Sequence, residues 1–247
     1  TVLGGTCDNF DRAEHLSQDL LDDEVFEELL SRTSLYDAVI VGVDCSTFSI
    51  ARVGSKPLRT RPSAAMAPGL GEAEQRCVHD ADVLVSRSCA IARAVWDGGG
   101  DFVFENPADR ACAPALWAAH AHVAPLWIHP EIVALRRLSG AASATFPQCM
   151  LGAPAQKFTT LMFSAGLASL GELGLLRCCH RGHAERAFGR DHLGVGRAGR
   201  AASYPAALCS ALAHATALAA GQLCGACGDA EGELGFGPAL HPDVRAA

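Results

Sequence analysis

Asp37-Ala38-Val39-Ile40-Val41-Gly42-Val43 is a short apolar run rich in β-branched residues, and Asp44-Cys45-Ser46-Thr47-Phe48-Ser49 follows it at once. A run of this length, bounded by polar residues, reads as a buried parallel strand. A second run, Asp101-Phe102-Val103-Phe104, leads into Glu105-Asn106-Pro107, where the proline breaks it. Between the two, residues 74–96 repeat apolar or small side chains at Cys77, Ala81, Leu84, Ile91 and Val95, close to a single helical stripe. Gly98-Gly99-Gly100 then ends the helix. Strand, long crossover helix and strand make a βαβ unit with a parallel pair, so the chain is expected to be α/β.

On the amino-terminal side, Glu24 to Leu30 reads as a short amphipathic helix with Asp22 and Asp23 favouring its start. Residues 44–73 hold three prolines with several glycines and serines. That loop is too long for a mere connector and is expected to be functional or mobile. Further on, a helix is expected around Ala113–Ala119 and strands at Ser143–Phe146 and Phe158–Ser164. An Ala-rich helix from Tyr204 to Ala220 starts at Pro205. Residues 1–222 are read as one domain. Residues 223–247 are Gly-rich and expected to be poorly ordered.

The 247 residues are 49% hydrophobic and 19% charged, which excludes a disordered or purely solvating chain. A net charge of −7 argues against a protein that clings to nucleic acid over its whole surface. The charge is uneven. Residues 1–44 hold eleven Asp and Glu against two Arg, and 177–200 hold six Arg against Glu185 and Asp191. The eleven cysteines include several inside apolar runs, such as Cys89 and Cys209. Mostly buried free thiols in a reducing compartment are expected, hence an intracellular location, nuclear or cytoplasmic. The longest apolar stretch, 206–220, contains His214, and no membrane span is expected.

In a doubly wound sheet, ligands bind beyond the carboxyl ends of the strands. Both strands of the βαβ unit end there in reactive sequence. If they are neighbours about 4.8 Å apart, a thiol from Cys45 and a carboxyl from Glu105 converge on one small planar group.

At those residues the chain resembles the DNA (cytosine-5) methyltransferases. Asp44-Cys45-Ser46-Thr47-Phe48-Ser49 is similar to that family's nucleophile loop, and Phe104-Glu105-Asn106-Pro107 to its glutamate-asparagine motif. The order Cys45, Arg52, Pro57-Leu58-Arg59, Gly69-Leu70, Glu105-Asn106-Pro107, Leu116-Trp117 is closer still to a divergent branch of methyltransferase-like domains in retroelement polyproteins. Gln148-Cys149-Met150-Leu151-Gly152, Lys157-Phe158-Thr159, Cys178, His183 and Tyr204-Pro205 continue that order. The resemblance covers most of 8–220. It implies a Rossmann-like, doubly wound, mostly parallel sheet and the methyl donor S-adenosylmethionine. It implies Cys45 as nucleophile, Glu105 as acid and Asn106 as the residue that sets Glu105's loop. It implies Asp8 (or Asp11), Asp19 and Asp44 for the cofactor. For the substrate, DNA with RNA as an open alternative, it implies Ser46, Arg52, Lys56, Arg59, Arg61 and Lys157.

The chemistry accounts for these residue types. A thiolate adding to carbon 6 of cytosine makes carbon 5 an enamine carbon able to attack a methyl donor, and a carboxyl at ring nitrogen 3 supplies a proton. The base must leave its stack to reach such a crevice.

Three features depart from the family. Its glycine-rich first motif is absent, Gly4-Gly5 lacking the pattern, so the sheet is expected to begin after its first strand or to have lost it. Asp44 stands where the family has proline, and Gln156-Lys157 where it has spaced arginines. The alternative is therefore a catalytically degenerate module of the same fold that binds nucleic acid or a protein partner. A cysteine hydrolase built on Cys45 is a third class. Cys178-Cys179-His180, His183 and the Cys224/Cys227 pair suggest zinc, but the two groups lie far apart in sequence, and no metal is expected.

Overall fold

The computed structural model describes residues 5–11, 14–49, 56–61, 63–112, 121–185 and 203–221. The βαβ unit forms as its sequence predicts: β1 (Ala38–Gly42), then an antiparallel ribbon of β2 (Arg59–Thr60) and β3 (Ala65–Met66), then α2 (Glu72–Asp97) and β4 (Asp101–Pro107). Before it stands α1 (Asp23–Ser31), whose first turn is capped by the Asp22 carboxylate accepting from Glu24 N at 2.8 Å. After it come α3 (Pro130–Ser139), β5 (Ala142–Pro147), β6 (Phe158–Phe163), a kinked 3-10 run over Ala165–Leu175, and α4 (Ala206–Ala219). The expected helix near 113–119 and the tail 223–247 lie outside the described residues.

The main sheet has the order β1-β4-β6-β5. β1 and β4 pair in parallel, whereas β4 with β6 and β5 with β6 pair antiparallel. This corrects the expectation of a mostly parallel sheet. Three strands run the same way and β6 alone is reversed. Because β6 is inserted between β4 and β5, that one reversal makes two of the three pairings antiparallel. A mixed four-stranded α/β sheet is what the chain builds.

The pleat sorts side chains to two faces. Phe102, Phe104 and Met162 join Ala81, Val85 and Ala92 of α2 and Ile132 and Leu135 of α3. Val103, Leu161, Phe163, Ala144 and Phe146 face the other way, onto Leu167, Leu170 and Leu173 of the 3-10 run and Leu208 and Leu212 of α4. Glu105, two residues on from Val103, therefore faces the α4 side, and Asn106 the α2 side. β1 is an edge strand. Although its sequence is that of an interior strand, Ile40 is 45% exposed.

Much of the long loop is folded. Leu58, Ala67 and Leu70 pack on Val78 of α2. Arg59 is 2% exposed: its Nε donates to Thr47 Oγ1 at 3.0 Å, Nη1 to Ala64 O at 2.9 Å and Nη2 to Val78 O at 3.2 Å. Nη1 also pairs with Asp82 at 2.7 Å, and the guanidinium lies 4.0 Å from the centre of the Phe48 ring. No described helix is long and apolar enough to cross a membrane.

Candidate functional site

Gly42, the last residue of β1, is paired with Glu105 in the parallel ladder. The two strands therefore deliver Cys45 and Glu105 to the same rim of the sheet. Beyond the last paired residue the Asn106 side chain continues the link, Nδ2 donating to Val43 O at 2.9 Å. Asn106 is fully buried, and among the described residues its Oδ1 has no partner. The loop after β1 is held by its own polar groups. Asp44 accepts from Ser46 N at 2.8 Å and Ser46 Oγ at 2.9 Å, and Phe48 N donates to Cys45 O at 3.0 Å.

The Glu105 carboxylate is enclosed by three donors from two stretches of the chain. Thr159 Oγ1 of β6 donates to Oε1 at 3.1 Å, and Lys157 Nζ stands 3.4 Å from the same oxygen. Tyr204 OH, at the entrance to α4, donates to Oε2 at 3.0 Å. Gln148 Nε2 reaches Thr159 Oγ1 at 2.8 Å and orients it from behind. Gly42 makes room for this arrangement: a Cβ there would lie 3.2 Å from the Tyr204 hydroxyl. Burial pushes the Tyr204 hydroxyl far up, and the Glu105 carboxylate pushes it further, so it stays a donor. Burial also pushes the Cys45 thiol up. Asp44 and Glu105 add to that, while the Lys157 ammonium opposes it. The sulfur thus lies within electrostatic reach of both Lys157 and Glu105.

Of the residues expected from sequence, Cys45, Glu105, Asn106, Asp44, Ser46 and Lys157 come together at this rim. The others do not. Asp8 accepts from Arg32 at 2.6 Å and from Tyr36 OH at 2.8 Å. Tyr36 leads into β1, so Asp8 sits at the strand's amino end, opposite the rim that carries Cys45. Asp19 accepts from Leu21 N at 3.0 Å, in the turn before α1. Arg59 is corrected from a phosphate contact to an interior strut, because a guanidinium packed among carbonyls cannot reach a polyanion. Arg61 pairs with Asp109, just past β4, and ties the β2–β3 ribbon to that loop. Lys56 donates to Pro68 O at 2.9 Å and Gly69 O at 2.8 Å. Arg52 lies outside the described residues.

Thr159, Gln148 and Tyr204 complete the Glu105 shell, a role that no spacing in the sequence marks for Gln148 or Tyr204. Thr159 was legible in principle. It pairs with Pro107, two residues from Glu105, which puts it on Glu105's face and within diagonal reach. Among the cysteines and histidines, Cys224 and Cys227 lie outside the described residues. Cys178, His180 and His183 converge with Cys149, a residue not weighed as their companion. Comparisons with protein-family models, with curated proteins and with solved structures found no match for this chain.

Proposed function

We propose that this chain handles the target base of cytosine-5 methylation in DNA, as a divergent methyltransferase-like domain. The carrying observation is the Gly42–Glu105 pairing, which sets a thiol and a carboxyl at one rim. In this reading the Cys45 thiol gives its proton to the Glu105 carboxylate, and the resulting thiolate adds to carbon 6 of an extruded cytosine and forms the sulfur–carbon bond. The ring electrons move toward nitrogen 3, which takes a proton from the Glu105 carboxyl. Carbon 5 becomes the nucleophilic end of an enamine. Lys157 favours the thiolate, while Tyr204 and Thr159 hold Glu105 in place. Reversal expels the thiolate and returns the proton to Glu105.

S-adenosylmethionine, implied by the resemblance, would supply an electrophilic methyl group. The described residues do not fit it by themselves. Asp8 is spent at the other end of β1, Asp44 is spent on Ser46, and no glycine-rich turn precedes β1 among the described residues. Among the described residues no strand pairs along the outer edge of β1, beside the half-exposed Ile40. One parallel βαβ unit with an antiparallel pair beyond it is compatible with the carboxyl-side half of a methyltransferase sheet. A further strand pairing along that edge would extend it toward the full doubly wound form. The base chemistry above needs only this chain's residues.

The raised Cys45 thiol favours a second reading, a degenerate module of this fold that binds nucleic acid or a protein partner without reacting. A DNA duplex carrying 5-azacytosine, whose carbon 6 is a stronger electrophile, separates the two. The proposal predicts an adduct that survives denaturation and is lost in Cys45→Ser. Duplex binding with no adduct would establish the degenerate module. An adduct that persists in Cys45→Ser would refute the assigned nucleophile.

A further inference from the structure

We propose that Cys149, Cys178, His180 and His183 form a zinc site, separate from the Cys45–Glu105 rim and independent of what that rim does. Each residue offers one ligand atom, and the four atoms lie within 4.8 Å of one another. Cys178 Sγ is 3.5 Å from His180 Nδ1 and 3.3 Å from His183 Nε2. Bond lengths of about 2.3 Å to sulfur and about 2.0–2.1 Å to nitrogen around a tetrahedral ion require ligand-to-ligand edges of roughly 3.3–3.8 Å. The two Cys178 spacings already match edges of that tetrahedron, and the other ligand atoms lie close enough, within 4.8 Å, to reach it by small side-chain shifts. The two imidazoles meet edge to face with centroids 5.3 Å apart, which keeps them from stacking and aims separate nitrogens at a common point.

The ligand set is soft and neutral-to-anionic, two thiols and two imidazoles, the chemistry that selects zinc over magnesium or calcium. On binding, each thiol gives its proton to solvent and the sulfur lone pair to the metal, so two protons leave per ion. Four protein ligands leave no open position, which makes the site structural. Cys149 lies on the buried turn Gln148–Leu151 after β5, and the other three ligands lie beyond the 3-10 run that packs on β5. The ion would therefore staple residues 178–183 to the β5–β6 connection. Glu185 N donates to Pro154 O at 3.1 Å beside it, in register with the Ala155–Glu185 bridge. The stapled turn also carries Gln148, whose amide orients Thr159 against Glu105. The metal would thus support the rim from below without touching it.

The test is elemental analysis of the full chain purified under reducing conditions from zinc-supplemented medium, with cobalt substitution as the spectroscopic readout. One zinc per chain is expected. Cobalt should give the visible bands of a tetrahedral ion together with sulfur-to-metal charge transfer. Both should vanish in the double variant Cys178→Ser/His183→Asn and persist in Cys179→Ser, which alters the exposed neighbouring thiol. Because Cys149 is buried and its variants risk misfolding, the solvent-facing His180→Ala serves as the second variant, with circular dichroism confirming the fold. A natively folded chain that holds no zinc and gives no cobalt spectrum would overturn the proposal. So would zinc retained in the double variant, or a Cys149–Cys178 disulfide found by mass in place of metal.

Discussion

Arg59 shows how far a single residue's surroundings can redirect its chemistry. A loop arginine between prolines invites the reading of a phosphate contact, yet its side chain is 1% exposed and its donors are spent on Thr47, Ala64, Val78 and Asp82. Burial lowers its pKa, and Asp82 partly restores it. Asp82 is itself 41% exposed and can recover water, so the interior carbonyls bear most of the loss when the guanidinium is removed. Arg59→Met should therefore destabilise the fold by about 1–3 kcal/mol in urea unfolding and, if the chain binds a duplex as proposed, leave that affinity and its salt dependence unchanged. A lost salt slope with unchanged stability would restore the phosphate role. At Glu105 the same logic works in reverse. Three donors gathered around one carboxylate make an exposed-type residue an interior one.

The turn from α2 into β4 governs whether the two reactive strand ends meet. Gly100 is the hinge of that turn. A Cβ there would lie 2.8 Å from Val95 Cγ1, 2.9 Å from Asp37 O and 3.0 Å from Tyr36 O, two of these being backbone atoms that cannot move aside cheaply. Asp101 N donates to Asp37 O at 2.9 Å immediately after it, so any shift propagates into the β1–β4 ladder. Gly100→Ala should cost about 1–3 kcal/mol and lower the melting temperature by a few degrees in differential scanning calorimetry. An unchanged melting temperature would mean that the ladder start is looser than this packing implies.

Across the whole molecule, buried ionisable groups set the pH range of stability. Burial, with Glu131 adding, pushes the Cys89 thiol up to about 12, and burial also raises Cys45. In the unfolded chain a thiol ionises near its ordinary value of 9.0. The neutral form favoured by the fold therefore contributes fully below pH 9, and the contribution is lost as pH rises toward 12. Asp82 has the opposite sign. Burial works against its charge, but His129 and Arg59 outweigh it and hold the carboxyl below its ordinary 3.8, so its share is lost as pH falls below that value. The urea midpoint should hold across neutral pH and fall through the alkaline range. That alkaline fall should be shallower in Cys89→Ala, and an equal slope in both proteins would assign it elsewhere.

What the sequence determined by itself was local. The spacing of apolar residues along 74–96, the breakers at Gly98–Gly100 and Pro107, and the strand character of residues 37–43 and 101–104 sufficed for the βαβ unit, because periodicity and punctuation act over a few residues. That unit alone carries Cys45 and Glu105 to one rim. The 3-10 run over Ala165–Leu175 buries Leu167, Leu170 and Leu173 at a spacing of three, which is neither the helical period of about 3.6 nor the strand period of two, and its glycines break it further. Tertiary structure alone decided the reversed insertion of β6, the burial of Arg59, the Tyr204–Glu105 bond across 99 residues, and the meeting of Cys149 with Cys178, His180 and His183. Each of these depends on which distant surfaces bury one another, a free-energy balance over the whole core that no short window of residues contains.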